Sequence, residues 1–117
     1  MCFDVQDKFK EPFIAKRNIK VYKVGFRFKN LFHSKFQLFT YKKNNQNQEL
    51  KLRVILGGII YDGYHSYNSR QVAKDYREKK EKIGLFIIPK GAEYYLNKRN
   101  HERVSSQIIF KGFIKCT

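Results

Sequence analysis

The stretch Gly57 to Tyr95, GGIIYDGYHSYNSRQVAKDYREKKEKIGLFIIPKGAEYY, decides the fold. Asn68 and Ser69 carry short side-chain oxygens that cap a helix by accepting a first-turn N–H, so a helix should begin there. Val72, Ala73, Tyr76 and Ile83 recur at helical spacing, while Arg70, Lys74 and Arg77 share another face. The spacing predicts one main helix over about 69–82, with Gly84 free to take the left-handed conformation that ends it. Leu85-Phe86-Ile87-Ile88 is an apolar run containing a β-branched pair and reads as a buried strand. Pro89-Lys90-Gly91 then turns the chain, because proline fixes φ and glycine permits positive φ.

Upstream, Lys20 to Lys29 alternates. Tyr22, Val24, Phe26 and Phe28 are expected to face the core, with Lys23, Gly25, Arg27 and Lys29 on the solvent side. Phe36 to Lys43 repeats the pattern less cleanly, with Phe39 and Tyr41 together on one side. Residues 42–48, KKNNQNQ, lack apolar anchors and read as a mobile polar loop. Leu50, Leu52, Val54 and Leu56 alternate with Lys51 and Arg53, giving another strand with a basic outer face. Downstream, Asn97 to Arg103 reads as a polar loop. Gln107 to Lys115 reads as a closing strand with Ile108, Phe110 and Ile114 inward and Lys111, Phe113 and Lys115 outward. Strands cluster before and after one helix. The expected class is α+β, with a largely antiparallel sheet of five to six strands.

At 117 residues the chain is one domain with one core, and residues 1–15 read as an arm or lead-in strand. No apolar run approaches a membrane span and the first residues lack the pattern of a signal peptide, so a cytoplasmic protein is expected. Neither cysteine has a second ligand at metal spacing and His33, His65 and His101 are scattered, so no metal site is expected; a Cys2–Cys116 disulfide would close nearly the whole chain, and a cytosolic setting disfavours it without deciding whether the two pair. No cofactor motif is present.

Charge is the strongest global signal. There are 25 Lys+Arg against 10 Asp+Glu, a formal net charge of +15, and no acid at all between Pro12 and Gln48. Such a field attracts phosphate-bearing or carboxylate-rich partners. The candidate contact residues are Lys23, Arg27, Lys29, Lys51 and Arg53 on strands, with Lys111, Lys115 and the aromatics Phe39, Tyr41 and Phe113 beside them. Arg70, Lys74 and Arg77 form a second stripe on the helix. Cations meet phosphates and aromatic faces stack unpaired bases, so single-stranded RNA suits such a surface. A solvated sheet face and a helix surface laced with weak ion pairs account for the same residues without any ligand.

Two resemblances add expectations. Gly63-Tyr64-His65-Ser66-Tyr67, a helix and Ile87-Ile88-Pro89-Lys90-Gly91 resemble the order of elements in ADP-ribosyltransferase-like folds. The glutamate that family uses would fall at Gln107, within Ser105-Ser106-Gln107-Ile108-Ile109, and an amide cannot supply its negative charge. That resemblance implies at most a degenerate nucleotide-binding protein without activity. The opening Met1-Cys2, Val21-Tyr22-Lys23-Val24, the Gly63 to Tyr67 element and Ile88-Pro89-Lys90-Gly91-Ala92-Glu93-Tyr94-Tyr95 are similar to a group of small uncharacterised proteins of bacterial viruses and mobile elements. Small basic proteins of such sources include inhibitors of host defence, among them inhibitors of CRISPR effectors. The expectation is a non-enzymatic basic module that engages RNA or a ribonucleoprotein effector.

Overall fold

The computed structural model describes residues 3–4, 12–35, 39–52, 54–55, 59–60, 63–97 and 101–115. Arg53, Cys2 and Cys116 lie outside these, as does most of the expected N-terminal arm. The architecture is a largely antiparallel sheet with one helix, so the α+β class stands, but nine strands rather than five to six make up the main sheet.

In chain order the elements are β1 (Phe3–Asp4), β2 (Phe13–Ile14), β3 (Ile19–Phe28), β4 (Leu31–Ser34), β5 (Thr40–Lys42), β6 (Val54–Ile55) and β7 (Ile59–Ile60). These are followed by β8 (Tyr64–Tyr67), α1 (Arg70–Tyr76), β9 (Lys82–Ile88), β10 (Glu93–Asn97), β11 (Glu102–Ser105) and β12 (Ile109–Ile114). A small sheet has the order β1-β7-β6. The main sheet runs β12-β9-β3-β8-β11-β10-β2, with β4 paired to β3 and β5 paired to β4. Among the described residues every strand pairing is antiparallel.

The chain after β5 comes back to β12. Asn44 N donates to Phe110 O (2.8 Å) and Gln46 bridges Ile109, so hydrogen bonds run round a closed circuit of β12, β9, β3, β4 and β5. Within the polar stretch 42–48, residues 44, 46 and 47 are thus held to β12 and the chain before it, while Lys42, Lys43 and Gln48 are exposed. Asn47 Nδ2 also donates to Ile108 O (3.0 Å), and Asn44 takes the left-handed φ of 63° that its short polar side chain tolerates. Inside the circuit Phe32, Tyr41, Phe86 and Phe110 pack ring against ring, with centroids 5.0 Å apart for Phe32–Phe86 and for Tyr41–Phe86. Such edge-on aromatic pairs dominate the core of a chain this rich in Phe and Tyr.

The phase of β3 is the reverse of the expected one. Val21, Lys23 and Gly25 are buried, whereas Tyr22 and Val24 are half-buried and Phe26 and Phe28 are exposed. The reason lies on the neighbouring strands. A Cβ on Gly25 would stand 2.7 Å from the Phe32 ring, and one on Gly84 2.9 Å from it, so Phe32 of β4 fills the volume that β3 and β9 leave empty. Gly84 accordingly sits within β9 and does not end the helix.

The helix is shorter than expected. Ser69 caps it as its sequence signals, its Oγ accepting from Val72 N at 3.1 Å. It stops at Tyr76 instead of near Lys82, with Arg77 already extended. Burial of Glu81 ends it early: the carboxylate is drawn to Lys35 (2.8 Å) and accepts from Glu78 N (2.8 Å), folding 78–81 into a turn. Gly91, at φ 93°, makes the turn read from Pro89-Lys90-Gly91, and Ala92 N donates to Pro89 O (3.1 Å). In β12 the register shifts between Phe110 and Gly112, where Gly112 has φ 136°. That bulge turns Phe113 onto the core, against the outward expectation.

Candidate nucleic-acid interface

The cations singled out from the sequence do not form one surface. Lys23 is 7% exposed, inside the aromatic cluster; its amine donates to His65 O and lies 5.7 Å from the centre of the Tyr41 ring. Burial pulls that amine down to about 8. Tyr41 is 0% exposed, its hydroxyl has no hydrogen-bond partner, and burial pushes its ionisation well above the ordinary tyrosine value. Neither residue can meet an external ligand in this fold, which corrects both assignments.

Arg27 stands near the end of β3 and Lys29 in the exposed β3–β4 turn. Arg27 lies over the Phe113 ring (5.1 Å) and donates from Nε to Lys29 O (3.0 Å), while Lys29 stands 5.7 Å from the Phe28 ring. Lys51 is exposed on irregular chain. On the helix side Arg70 donates to Lys115 O (2.9 Å) and Arg77 to Glu81 O (2.9 Å), so both are tied to backbone carbonyls, and Lys74 is half-buried. Lys111 and Lys115 are exposed. Gln107, the position of interest in the ADP-ribosyltransferase resemblance, accepts a hydrogen bond from Gln46 Nε2 at 3.2 Å.

A different group converges. Phe13, Ile14, Lys16, Arg17, Asn18, Ile19, Lys20, Tyr94 and Arg103 line an open cleft of about 550 Å³. Four of its residues are cations and none is an acid. The platform is built by strand pairing: Phe13 stands opposite Tyr94 across β2 and β10, and residue 15 extends the ladder through Ala15 N to Ala92 O (2.9 Å) and Gly91 N to Ala15 O (2.8 Å). Cross-strand partners project on the same side of a sheet, so the two rings stack, with centroids 5.5 Å apart and planes 27° apart. Phe13 is nevertheless 52% exposed.

Arg103 reaches this platform from β11. Its guanidinium carbon lies 5.7 Å from the Tyr94 ring centre, and its Nε is covered and without a hydrogen-bond partner. Among the described residues it has no carboxylate partner. Burial lowers its pKa, and the nearby Tyr94 opposes that shift. An arginine stays charged through any such shift, so the cleft holds a partly desolvated positive charge with open donor capacity.

Three of the four cations in this group carried a sequence signal. Lys16, Arg17 and Lys20 lie in the acid-free window, whereas Phe13 fell in the expected arm and Arg103 in an expected loop. Among the described residues no group of His, Cys, Asp and Glu is placed to hold a metal ion, and no helix is long and apolar enough to cross a membrane. Comparison with protein-family models, with curated proteins and with solved structures returned no match to this chain.

Proposed function

We propose that the protein is a non-enzymatic binding module that engages RNA, free or within a ribonucleoprotein effector, through the cleft between β2, β10 and β11. What carries the reading is Arg103: a charged, half-buried guanidinium over the Tyr94 ring in a cleft with three further cations and no acid. A planar guanidinium suits phosphate oxygens, which accept two of its donors at once. Lys16, Arg17 and Lys20 extend the positive rim, and the net charge of +15 supplies a long-range field that draws a polyanion toward it.

The test is fluorescence anisotropy of a labelled RNA across a salt series, comparing the parent protein with Arg103→Gln. Binding should weaken steeply with salt, and the variant should bind about tenfold or more weakly, the loss expected for one charge-assisted pair. Unaltered affinity in a folded Arg103→Gln protein would remove the assignment to this cleft.

A further inference from the structure

We infer that the cleft selects single-stranded over duplex nucleic acid, by seating one unpaired base on the outer face of Phe13 as the next layer of the Phe13–Tyr94 stack. The inference rests on the nucleic-acid reading above and adds the form of the ligand.

The geometry has three parts. Phe13 gives one face to Tyr94, yet half of its surface stays open, and a planar ring with one face stacked has its other face left for a planar ligand. Its position is fixed by the pairing of β2 with β10, so a stacking ligand orders little protein on arrival. The cations follow at once along the chain. Lys16 and Arg17 follow β2 just after the platform, Lys20 is the second residue of β3, and Arg103 lines the same cleft beside Tyr94. A chain of nucleotides offers this alternation of flat base and flanking phosphate. In a duplex both faces of every internal base are covered by neighbours and only phosphates are offered, so the platform goes unused. An acidic peptide likewise satisfies the cations but brings no flat face to Phe13. The cleft, at about 550 Å³, lies within the range of small-ligand sites and is far too small to embrace a double helix.

Because base stacking on an aromatic side chain is tolerant of base identity, the preference is for strand state and not for sequence. Phe13→Ala should therefore weaken single-strand binding by about five- to a hundredfold and leave duplex binding unchanged. Phe13 is surface-exposed on a two-residue edge strand, so the substitution spares the core.

The experiment compares a short labelled RNA with the same RNA annealed to its complement, against the parent protein, Phe13→Ala and Phe13→Trp. The protein contains no tryptophan, so Phe13→Trp also introduces a unique fluorophore at the platform. The expected result is tighter binding of the single strand, its loss in Phe13→Ala, its retention in Phe13→Trp, and quenching of that fluorophore by the single strand alone. Equal affinity for both forms, or equal weakening of both by Phe13→Ala, overturns the single-strand inference while the RNA-binding reading stands. Absence of binding to either form at low salt, with a polyglutamate chain bound instead, overturns both.

Discussion

The amine of Lys23 lies near two aromatic rings, 5.7 Å from the centre of Tyr41 and 6.0 Å from that of Phe86, and donates a hydrogen bond to the His65 carbonyl. A lysine in a closed strand circuit is costly. The rings return part of that cost, since a cation over an aromatic face is attracted to it.

The consequence is a stability that rises with alkalinity. The Lys23 amine titrates at about 8 in the fold against 10.5 ordinarily, so between these values the unfolded chain binds the extra proton and folding strengthens as pH rises. The gain amounts to about 3 kcal/mol if completed. It is cut short near pH 10, where Tyr41, Tyr64 and Tyr67, all pushed upward mainly by burial, begin to favour the unfolded chain. Urea denaturation at intervals from about pH 7 to 9.5 should show the midpoint climbing. Lys23→Met should flatten that climb and raise stability at neutral pH by about 1–2 kcal/mol, the desolvation cost less the lost hydrogen bond.

A second window opens on the acid side. Burial first, then the Lys23 charge, holds the His65 imidazole down to about 4, so below pH 6.5 the unfolded chain takes up a proton that the fold refuses. Stability should drain away as pH falls from about 6.5 to 4. A midpoint independent of pH across that interval would contradict a neutral buried His65.

Gly25→Ala should be among the most damaging small substitutions. The new methyl would lie 2.3 Å from His33 O and 2.7 Å from the Phe32 ring, and a backbone oxygen cannot step aside without parting β3 from β4. A loss of about 3 kcal/mol, at the upper end for overpacking, is expected in thermal or urea melts.

Removing the Glu81 carboxylate should unfasten the chain between α1 and β9. Burial alone would raise its pKa, but the Lys35 and Glu78 hydrogen bonds outweigh burial and hold it below the usual carboxylate value. Glu81→Ala leaves the Glu78 N–H and the Lys35 amine without that acceptor, a loss of about 1–3 kcal/mol. Stability tied to Glu81 is present above pH 4.5 and should fade as pH falls below it; a full melt series on the variant checks both statements.

For binding, the triple change Lys16→Gln, Arg17→Gln, Lys20→Gln should reduce the slope of log affinity against log salt by about 2, the release expected for three contacts to a single strand. The same change made at Lys111 and Lys115 should leave the slope nearly as it was, since neither lines the cleft.

Local chemistry made part of this fold legible. The Ser69 cap, the apolar run of β9 and the Pro-Lys-Gly turn each depend on residues within a few positions of one another. The phase of β3 was not legible, because the side chain that fills the space at Gly25 is Phe32 on another strand. The helix end was hidden for the same reason: Glu81 stops it through Lys35, far away in sequence. Two-residue strands such as β2 are too short to show an alternation at all. At the candidate site, the acid-free window exposed Lys16, Arg17 and Lys20, while Tyr94 and Arg103 join them only through the pairing of β2, β10 and β11.

The return of residues 44–46 to β12 also bears on how the chain reaches its fold. Gln46 and Gln107, which clasp across this seam, are 61 residues apart, and β3 has by then to find β9 as well. Closing such long spans loses chain entropy before the aromatic cluster can repay it, so assembly should be slow for a domain of this size. Nor can the circuit be completed until β12 has emerged, which means that the edges of β5 and β9 wait exposed during synthesis. Lysines at 42, 43 and 82 stand on or beside those waiting edges, where their charge deters pairing with another chain until β12 takes its place.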